Sequence, residues 1–312
     1  MLNPKIKADF EKQGYRLVGN HSAVKVCLWV KRAIQGKDVC YKNTFYGIQS
    51  HRCVQSSVTL LNCFHRCEFC WRCMEYTIPK EVENPDEPSF ILDGLITEQK
   101  KYLQGFKGNK NVPKKLFDEA MTPKHVAISL AGDGTLYPKL PGLIDEIKKR
   151  KMTSFLVTNG LKPDMLEKLL KHMPTQLYIT LPAPNEEVYM RTCKPLVRDG
   201  WKRLQKSLSI LHKFKRSTIR LTLVKKLNMV NPEQYAEIIA KAKPMFVELK
   251  AAMPVGYAQY RMAYEQMPRH DEIIEFAKKI CAVSGLKIID EKQNSRVVLL
   301  MKKDKKSRKI KL

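Results

Sequence analysis

The chain has 312 residues, 44% of them apolar, which is enough for a hydrophobic core of one large domain or two small ones. Its 57 Lys and Arg against 31 Asp and Glu give a formal net charge of +26. That excess suits a polyanionic partner such as nucleic acid, or a generally basic surface adapted to high salt or temperature. The mean hydropathy of −0.37 and the want of a long apolar run argue against a helical membrane protein. The N-terminus lacks the apolar core of a signal peptide, so a cytoplasmic protein with reduced cysteines is expected.

Residues 22–35 read as an amphipathic helix, with Ala23, Cys27, Val30 and Ile34 on one face. Cys27 by itself reads as a buried structural cysteine. Residues 36–52 are loop-like and aromatic, and they end at His51-Arg52-Cys53. Cys27, Cys40 and Cys53 recur at thirteen-residue intervals, which matches no known local motif. The apolar, β-branched run 57–61 predicts a strand, and a loop with Cys63, Cys67 and Cys70 in C-x3-C-x2-C spacing follows it. Three thiolates on one loop can share a metal centre and leave a coordination position open, as a catalytic centre requires. Seven of the nine cysteines lie between Cys27 and Cys73, so a second three-thiolate centre beside the first is geometrically cheap.

An extended stretch over 79–88 precedes predicted helices at 94–106 and 113–120. Apolar runs at 126–130, 155–158, 177–181, 219–224 and 246–249 then alternate with helical patterns at 141–151, 163–172, 200–214 and 232–242. With the run before Cys63 this makes six β/α units, a parallel sheet and a partial rather than closed barrel. A helix over 271–284 and a hairpin from 286–290 and 297–301 complete the pattern. The tail from Lys302 carries seven Lys and Arg, which predicts a disordered segment or a nucleic-acid contact.

In such barrels the functional loops follow the strands. Here they carry Gly132-Asp133-Gly134, Thr158-Asn159-Gly160, Thr180 with Pro182, and Lys250 to Tyr257 beside the cysteine loop. A single mouth with one cofactor site is the natural reading. Zinc stays open as an alternative, with His51 or His65 completing a three-thiolate set. Cys73, as a fourth thiolate, would close the loop's centre, and Cys193 and Cys281 have no assigned role.

Cys63-x3-Cys67-x2-Cys70, with Phe69 before the last cysteine, resembles the radical S-adenosylmethionine (SAM) superfamily, and the loop Gly132–Gly134 resembles its glycine-rich loop. Cys40-Tyr41-Lys42, Phe45-Tyr46-Gly47, His51-Arg52-Cys53, Phe69-Cys70-Trp71-Arg72, Arg220 to Lys225 and Val247 to Ala251 are similar to the tRNA 4-demethylwyosine synthase family. The resemblance implies an α/β partial (β/α)6 TIM-like barrel over 54–260. It implies an extension at 1–53 with second-cluster ligands, and one at 261–312 with a helix, hairpin and basic tail. It implies two [4Fe–4S] clusters, on Cys63, Cys67 and Cys70 and on Cys27, Cys40 and Cys53. Gly132, Asp133, Gly134, Asn159 and Thr180 would contact SAM, and Lys42 would bind pyruvate.

The implied reaction is radical cleavage of SAM, hydrogen abstraction from N1-methylguanosine in tRNA-Phe, and condensation with two carbons of pyruvate to a tricyclic base. A monomer served by an external flavodoxin or ferredoxin is expected. Two departures stand out: Gly-Asp-Gly replaces the usual Gly-Glu-Pro, and Leu181-Pro182-Ala183 stands where an aspartate is common. Trp71, Tyr41, Phe45 and Tyr46 are candidates to stack on the base. Another radical enzyme acting on RNA or protein, or a cluster-stabilised RNA-binding protein, would share many of these features.

Overall fold

A computed structural model describes residues 3–311. After α1 (Pro4–Lys12) come two short strands, β1 (Arg16–Val18) and β2 (Ser22–Val24). Two short helices follow, α2 (Leu28–Ile34) and α3 (Tyr41–Tyr46). The expected helix over 22–35 therefore exists only in its second half. Its first turn is replaced because Ala23 and Val24 pair antiparallel with Ser57 and Ser56, and Cys27 becomes the N-cap of α2.

The strand and helix alternation is as expected, except for one additional helix over 186–193. It comprises β3 (Cys53–Ser57), α4 (Pro88–Leu103), α5 (Lys114–Ala120), β4 (His125–Ile128), α6 (Leu140–Lys149), β5 (Thr153–Thr158) and α7 (Pro163–Leu169). It continues through β6 (Gln176–Thr180), α8 (Glu186–Cys193), α9 (Gly200–Ile210), β7 (Ser217–Leu223), α10 (Pro232–Ala242) and β8 (Phe246–Ala251). The chain ends with α11 (His270–Ser284), β9 (Lys287–Lys292) and β10 (Val297–Met301). Proline opens α4, α7 and α10, where its missing N–H costs nothing.

All ten strands form one sheet in the order β1-β2-β3-β4-β5-β6-β7-β8-β10-β9. The six from β3 to β8 are parallel, and the flanking pairs are antiparallel. The two terminal extensions thus widen the barrel sheet itself, and Cys53 is the first residue of its first parallel strand.

The strands are buried on both faces, hence their near-continuous apolar runs. Outward-facing Val126, Ile128, Leu156, Leu177, Ile179, Ile219 and Leu221 pack in the cluster that includes Leu92, Leu143, Leu166, Leu208 and Ile239 of the helices. Inward-facing Ala127, Phe155, Tyr178 and Phe246 pack instead on Tyr41, Phe45 and Tyr46 of α3. The N-terminal segment thereby plugs the concave face.

Two expectations need correction. The first strand ends at Ser57 rather than Leu61: Leu60 N–H donates to His21 O (2.9 Å) and Asn62 N–H to Thr59 O (2.8 Å), so the backbone turns out of the sheet. A short apolar run cannot tell a buried turn from a strand. The basic tail is docked as well. Ile310 N–H donates to Tyr46 O (2.8 Å), Arg308 reaches Phe45 O (3.0 Å) and pairs with Asp290 (2.8 Å), and Arg216 holds Ser307 O (2.6 Å).

Candidate active site between two sets of thiols

The loop after β3 is held from several sides. Cys63 N–H donates to Ile78 O (3.1 Å), while Arg66 and Glu68 N–H donate to Cys193 O (2.9 Å) and Thr192 O (3.0 Å) at the end of α8. Arg261 reaches Glu68 O and Cys70 O, and Tyr257 N–H donates to Trp71 O (3.0 Å). Gly256 permits this last contact, since at φ +56° an added Cβ would lie 2.8 Å from Trp71 O.

Burial pushes the Cys63 thiol up to about 12, against the pull of Arg72. Arg72 is buried and tied to Leu61 O (3.1 Å) and His65 O (3.2 Å). Burial alone would lower its own pKa, but the thiols of Cys63, Cys70 and Cys67 raise it. Arg72 is therefore the fixed counter-charge for thiolates on this loop. Its position directly after Phe69-Cys70-Trp71 made it readable, although no role was expected.

Thiolates on one zinc ion at about 2.3 Å each lie about 3.8 Å apart. Among the described residues the only three ligand atoms within 4.8 Å of one another belong to His65, Cys67 and Cys193, and neither cysteine trio is that compact. His65 Nε2 lies 2.7 Å from the Tyr189 hydroxyl, and Cys193 belongs to α8. The Cys63, Cys67 and Cys70 set is therefore spread more widely than one ion requires, which leaves room for a larger core. Cys73 does not complete it, because its thiol donates to Glu75 Oε2 (2.7 Å). Cys281 lies half-buried on α11.

The loops after β4 and β5 lie beside Cys63. Gly132 sits at φ +70°, and a Cβ there would fall 1.8 Å from Thr59 O, so only glycine lets this loop lie against the cysteine loop. The Asp133 carboxylate is turned into the protein. It accepts from Thr135 N–H (3.0 Å) and Oγ1 (2.6 Å), Thr158 Oγ1 (2.9 Å) and Asn159 N–H (2.7 Å). Asp133 thus ties the loops after β4 and β5 together. Asn159 Nδ2 donates to Cys63 Sγ (3.5 Å). Gly134 is buried in a short 3₁₀ turn, and Thr180 ends β6 half-buried, on the same face as Tyr178.

Cys27, Cys40 and Cys53 gather at the opposite end of the inner face. Cys40 and Cys53 border the inner cluster, and Cys27 and Cys53 border a second one built on Val30 and Leu103. Burial raises Cys27 to about 11 and Cys53 to about 12, and in each case a neighbouring thiol of the trio adds to the effect. Burial also raises Cys40, with Lys42 opposing it.

Lys42, the second residue of α3, is buried, its ammonium 4.8 Å from the Phe155 ring centre and 5.1 Å from that of Tyr178. Burial and then Arg220 lower its pKa, while Cys53 and Cys40 oppose. Arg220 is gripped by Glu248 (3.1 and 3.0 Å) and donates to the Tyr41 hydroxyl (2.7 Å), and Tyr46 donates to Glu248 (2.7 Å). Lys250, two residues beyond Glu248, stands 5.3 Å from the Tyr41 ring centre, and burial followed by Arg220 lowers it to about 8. Sequence reasoning assigned nothing to Arg220, Glu248 or Lys250. The available signal was charge at alternating positions within otherwise apolar strands.

Of the stacking candidates, Tyr41, Phe45 and Tyr46 are core residues, whereas Trp71 is 47% exposed. Tyr260 and Tyr264 on the segment clamped to Trp71 are 76% and 68% exposed, and they were not anticipated.

A parallel half-barrel with an open three-thiol loop after its first parallel strand, facing a glycine-rich loop after its second, defines a radical SAM enzyme. Residues 58–239 match the Radical SAM superfamily, and residues 241–302 match a family described as Wyosine base formation. The S-adenosyl-L-methionine-dependent tRNA 4-demethylwyosine synthase of Pyrococcus abyssi is 47% identical, over 95% of this chain and 88% of its own. That of Methanocaldococcus jannaschii is 38% identical over 98% of both chains. A solved structure described as TYW1 with a lysine-pyruvate adduct bound superposes with a TM-score of 0.90 at 37% identity, over 99% of this chain and 100% of that one. The chain belongs to the S-adenosyl-L-methionine-dependent tRNA 4-demethylwyosine synthase family. Membership carries SAM and a [4Fe–4S] cluster, and Cys63, Cys67 and Cys70 fit that cluster's three protein ligands. None of the helices is long and apolar enough to cross a membrane, among the described residues.

Proposed function

We propose that this chain is a lyase-type radical enzyme that joins the N1-methylguanosine of tRNA-Phe to two carbons of pyruvate and forms 4-demethylwyosine. The observation that carries the reading is the position of Lys42. It is a buried lysine beside a second thiol trio, on the same inner face that leads up to the loop of Cys63, Cys67 and Cys70.

In this reading Cys27, Cys40 and Cys53 hold a second [4Fe–4S] cluster. The backbone around Gly132, Gly134, Asn159 and Thr180 holds SAM, and Asp133 fixes the loops. When bound, SAM and the cluster on Cys63, Cys67 and Cys70 supply a carbon radical that takes hydrogen from the base methyl group. Lys42 Nζ adds to the keto carbon of pyruvate, and the carbonyl oxygen leaves as water, which holds the substrate as an imine. The solved relative carries a lysine-pyruvate adduct, which supports that role. The rings of Phe155 and Tyr178 wall the lysine and keep bulk water away.

The methylguanosine has to leave its stack to reach the mouth, where Trp71, Tyr260 and Tyr264 offer faces to neighbouring bases. The reading includes a separate flavodoxin or ferredoxin as electron source and a monomeric, cytoplasmic enzyme. The test is anaerobic turnover of the protein with reductant, SAM, pyruvate and methylguanosine-containing tRNA-Phe. A tricyclic base with two carbons from labelled pyruvate is expected, together with iron for two clusters. SAM cleavage without that product would overturn the assignment.

A further inference from the structure

Near the second thiol trio the inner face carries three cations: Lys42 on α3, Arg220 on β7 and Lys250 on β8. Only Arg220 has a carboxylate partner, Glu248. Among the described residues, neither Lys42 nor Lys250 donates a hydrogen bond from its ammonium or forms an ion pair. Each lies instead against aromatic faces, Lys42 over Phe155 and Tyr178 and Lys250 over Tyr41. Cation–π contacts soften the burial of an ammonium without cancelling its charge. Two such groups on one inner face are costly unless anions come to them.

Glu248 is consumed by Arg220 and Tyr46, so it is not available. As thiolates, Cys53 and Cys40 would favour the charged form of Lys42, and Cys40 that of Lys250 as well. A [4Fe–4S] core on three thiolates carries about one net negative charge. That balances one lysine and leaves the other for a ligand.

Lys250 also stands above the Arg220–Glu248 pair. Lys250 pairs in register with Thr222, two residues beyond the Arg220–Glu248 pair, and so stands about 7 Å nearer the mouth of the sheet. Unlike Lys42 it is only half-buried, so part of its side chain remains accessible.

We propose that Lys42 and Lys250 form a subsite for a small 2-oxo acid. Lys250 receives the carboxylate while Lys42 takes the keto carbon. The aromatic walls of Tyr41, Phe155 and Tyr178 limit the remaining substituent to a small group. This rests on the role of Lys42 given above and adds the residue that selects an acid over a neutral ketone. Lys250 is in this respect a positioning residue.

The test is borohydride trapping on the anaerobic, cluster-loaded full chain, with pyruvate and its neutral methyl ester as probes. The reduced adduct on Lys42 is read by peptide mass. Trapping reduces the imine: hydride adds to the former keto carbon and a solvent proton to the nitrogen, giving a stable secondary amine. In the unmodified chain Lys42 should be trapped by pyruvate in preference to the ester. Lys250→Met should raise the pyruvate concentration for half-maximal trapping by about tenfold or more and erase that preference. Lys250→Gln should behave like Lys250→Met, and Lys250→Arg should keep most of the preference. The thermal midpoint of Lys250→Met should be equal or higher, because an unpaired buried cation is removed; a structural lysine would lower it.

An unchanged concentration dependence and an unchanged acid-over-ester preference in Lys250→Met and Lys250→Gln would overturn the inference alone. No adduct on Lys42 of the unmodified chain at any pyruvate concentration would overturn the role of Lys42, and this subsite with it.

Discussion

The two thiol sets are built in opposite ways. Cys63, Cys67 and Cys70 share one loop beyond the C-terminal end of β3, pinned by hydrogen bonds to α8 and to the segment around Arg261. Cys27, Cys40 and Cys53 come from three separate elements, two of them helix N-caps and the third the first residue of β3. Their counter-charges differ too. Arg72 is permanently charged and bound to backbone carbonyls, whereas the lower set faces lysines whose charge is weakened by burial. The upper set thus meets one fixed positive charge, whereas the lower set faces charges that burial has made easier to lose.

Four outcomes would break or sharpen that contrast. The largest concerns the thiols. Cys67→Ala should abolish SAM cleavage and product together, while Cys40→Ala should keep most cleavage and lose the product; methionine release and base analysis measure both. Equal loss of cleavage in the two variants would mean the sets are not separate centres.

Next is the Arg220–Glu248 pair that supports the lower set. Glu248→Ala leaves Arg220 buried and unpaired and should cost about 3–5 kcal/mol, read as a lower unfolding midpoint. A midpoint close to the unmodified chain's would show that the pair does not support this region.

At the upper rim, Tyr260→Ala should weaken tRNA binding by about 1 kcal/mol, or several-fold, without changing the salt dependence. Lys and Arg contacts to phosphates should make binding itself fall steeply with salt, and a flat salt response would count against an RNA-facing rim.

The smallest effect is the pH response of Asp38, which joins the loop between α2 and α3 to the terminal hairpin. Hydrogen bonds from Lys292 and Asn294 hold it down to about 2. A depressed carboxylate stabilises the fold above its unfolded pKa, and that stability is lost as pH falls from about 4 through 2. The contribution should be about 1 kcal/mol or less because water still reaches the pair. Asp38→Asn should remove that part of the acid sensitivity, and identical acid profiles would refute it.

Residue order alone carried a great deal. The six β/α units, the terminal hairpin, the glycine-rich loop and the C-x3-C-x2-C loop depend on local periodicity, turn chemistry and spacing, which the chain shows over short windows. The failures share a cause. Residues 22–24 became a strand because β3 offered a partner edge, and 58–61 left the sheet because Leu60 and Asn62 found turn partners. The basic tail became ordered because α3 exposed carbonyls at Phe45 and Tyr46. Apart from Thr59, which accepts from Asn62, none of those partners is close in sequence.

The sequence by itself determined the class of enzyme and pointed to Cys63, Cys67 and Cys70 as candidate ligands of one cluster, because three thiols within eight residues need only one loop to converge. Tertiary structure alone decided that Asp133 is spent on binding loops together, and that Tyr41, Phe45 and Tyr46 are core rather than stacking residues. It alone set Arg220, Glu248 and Lys250 around Lys42. The reason is physical: charge, burial and partner at those positions are properties of a concave sheet face, and that face exists only once strands distant in sequence lie side by side.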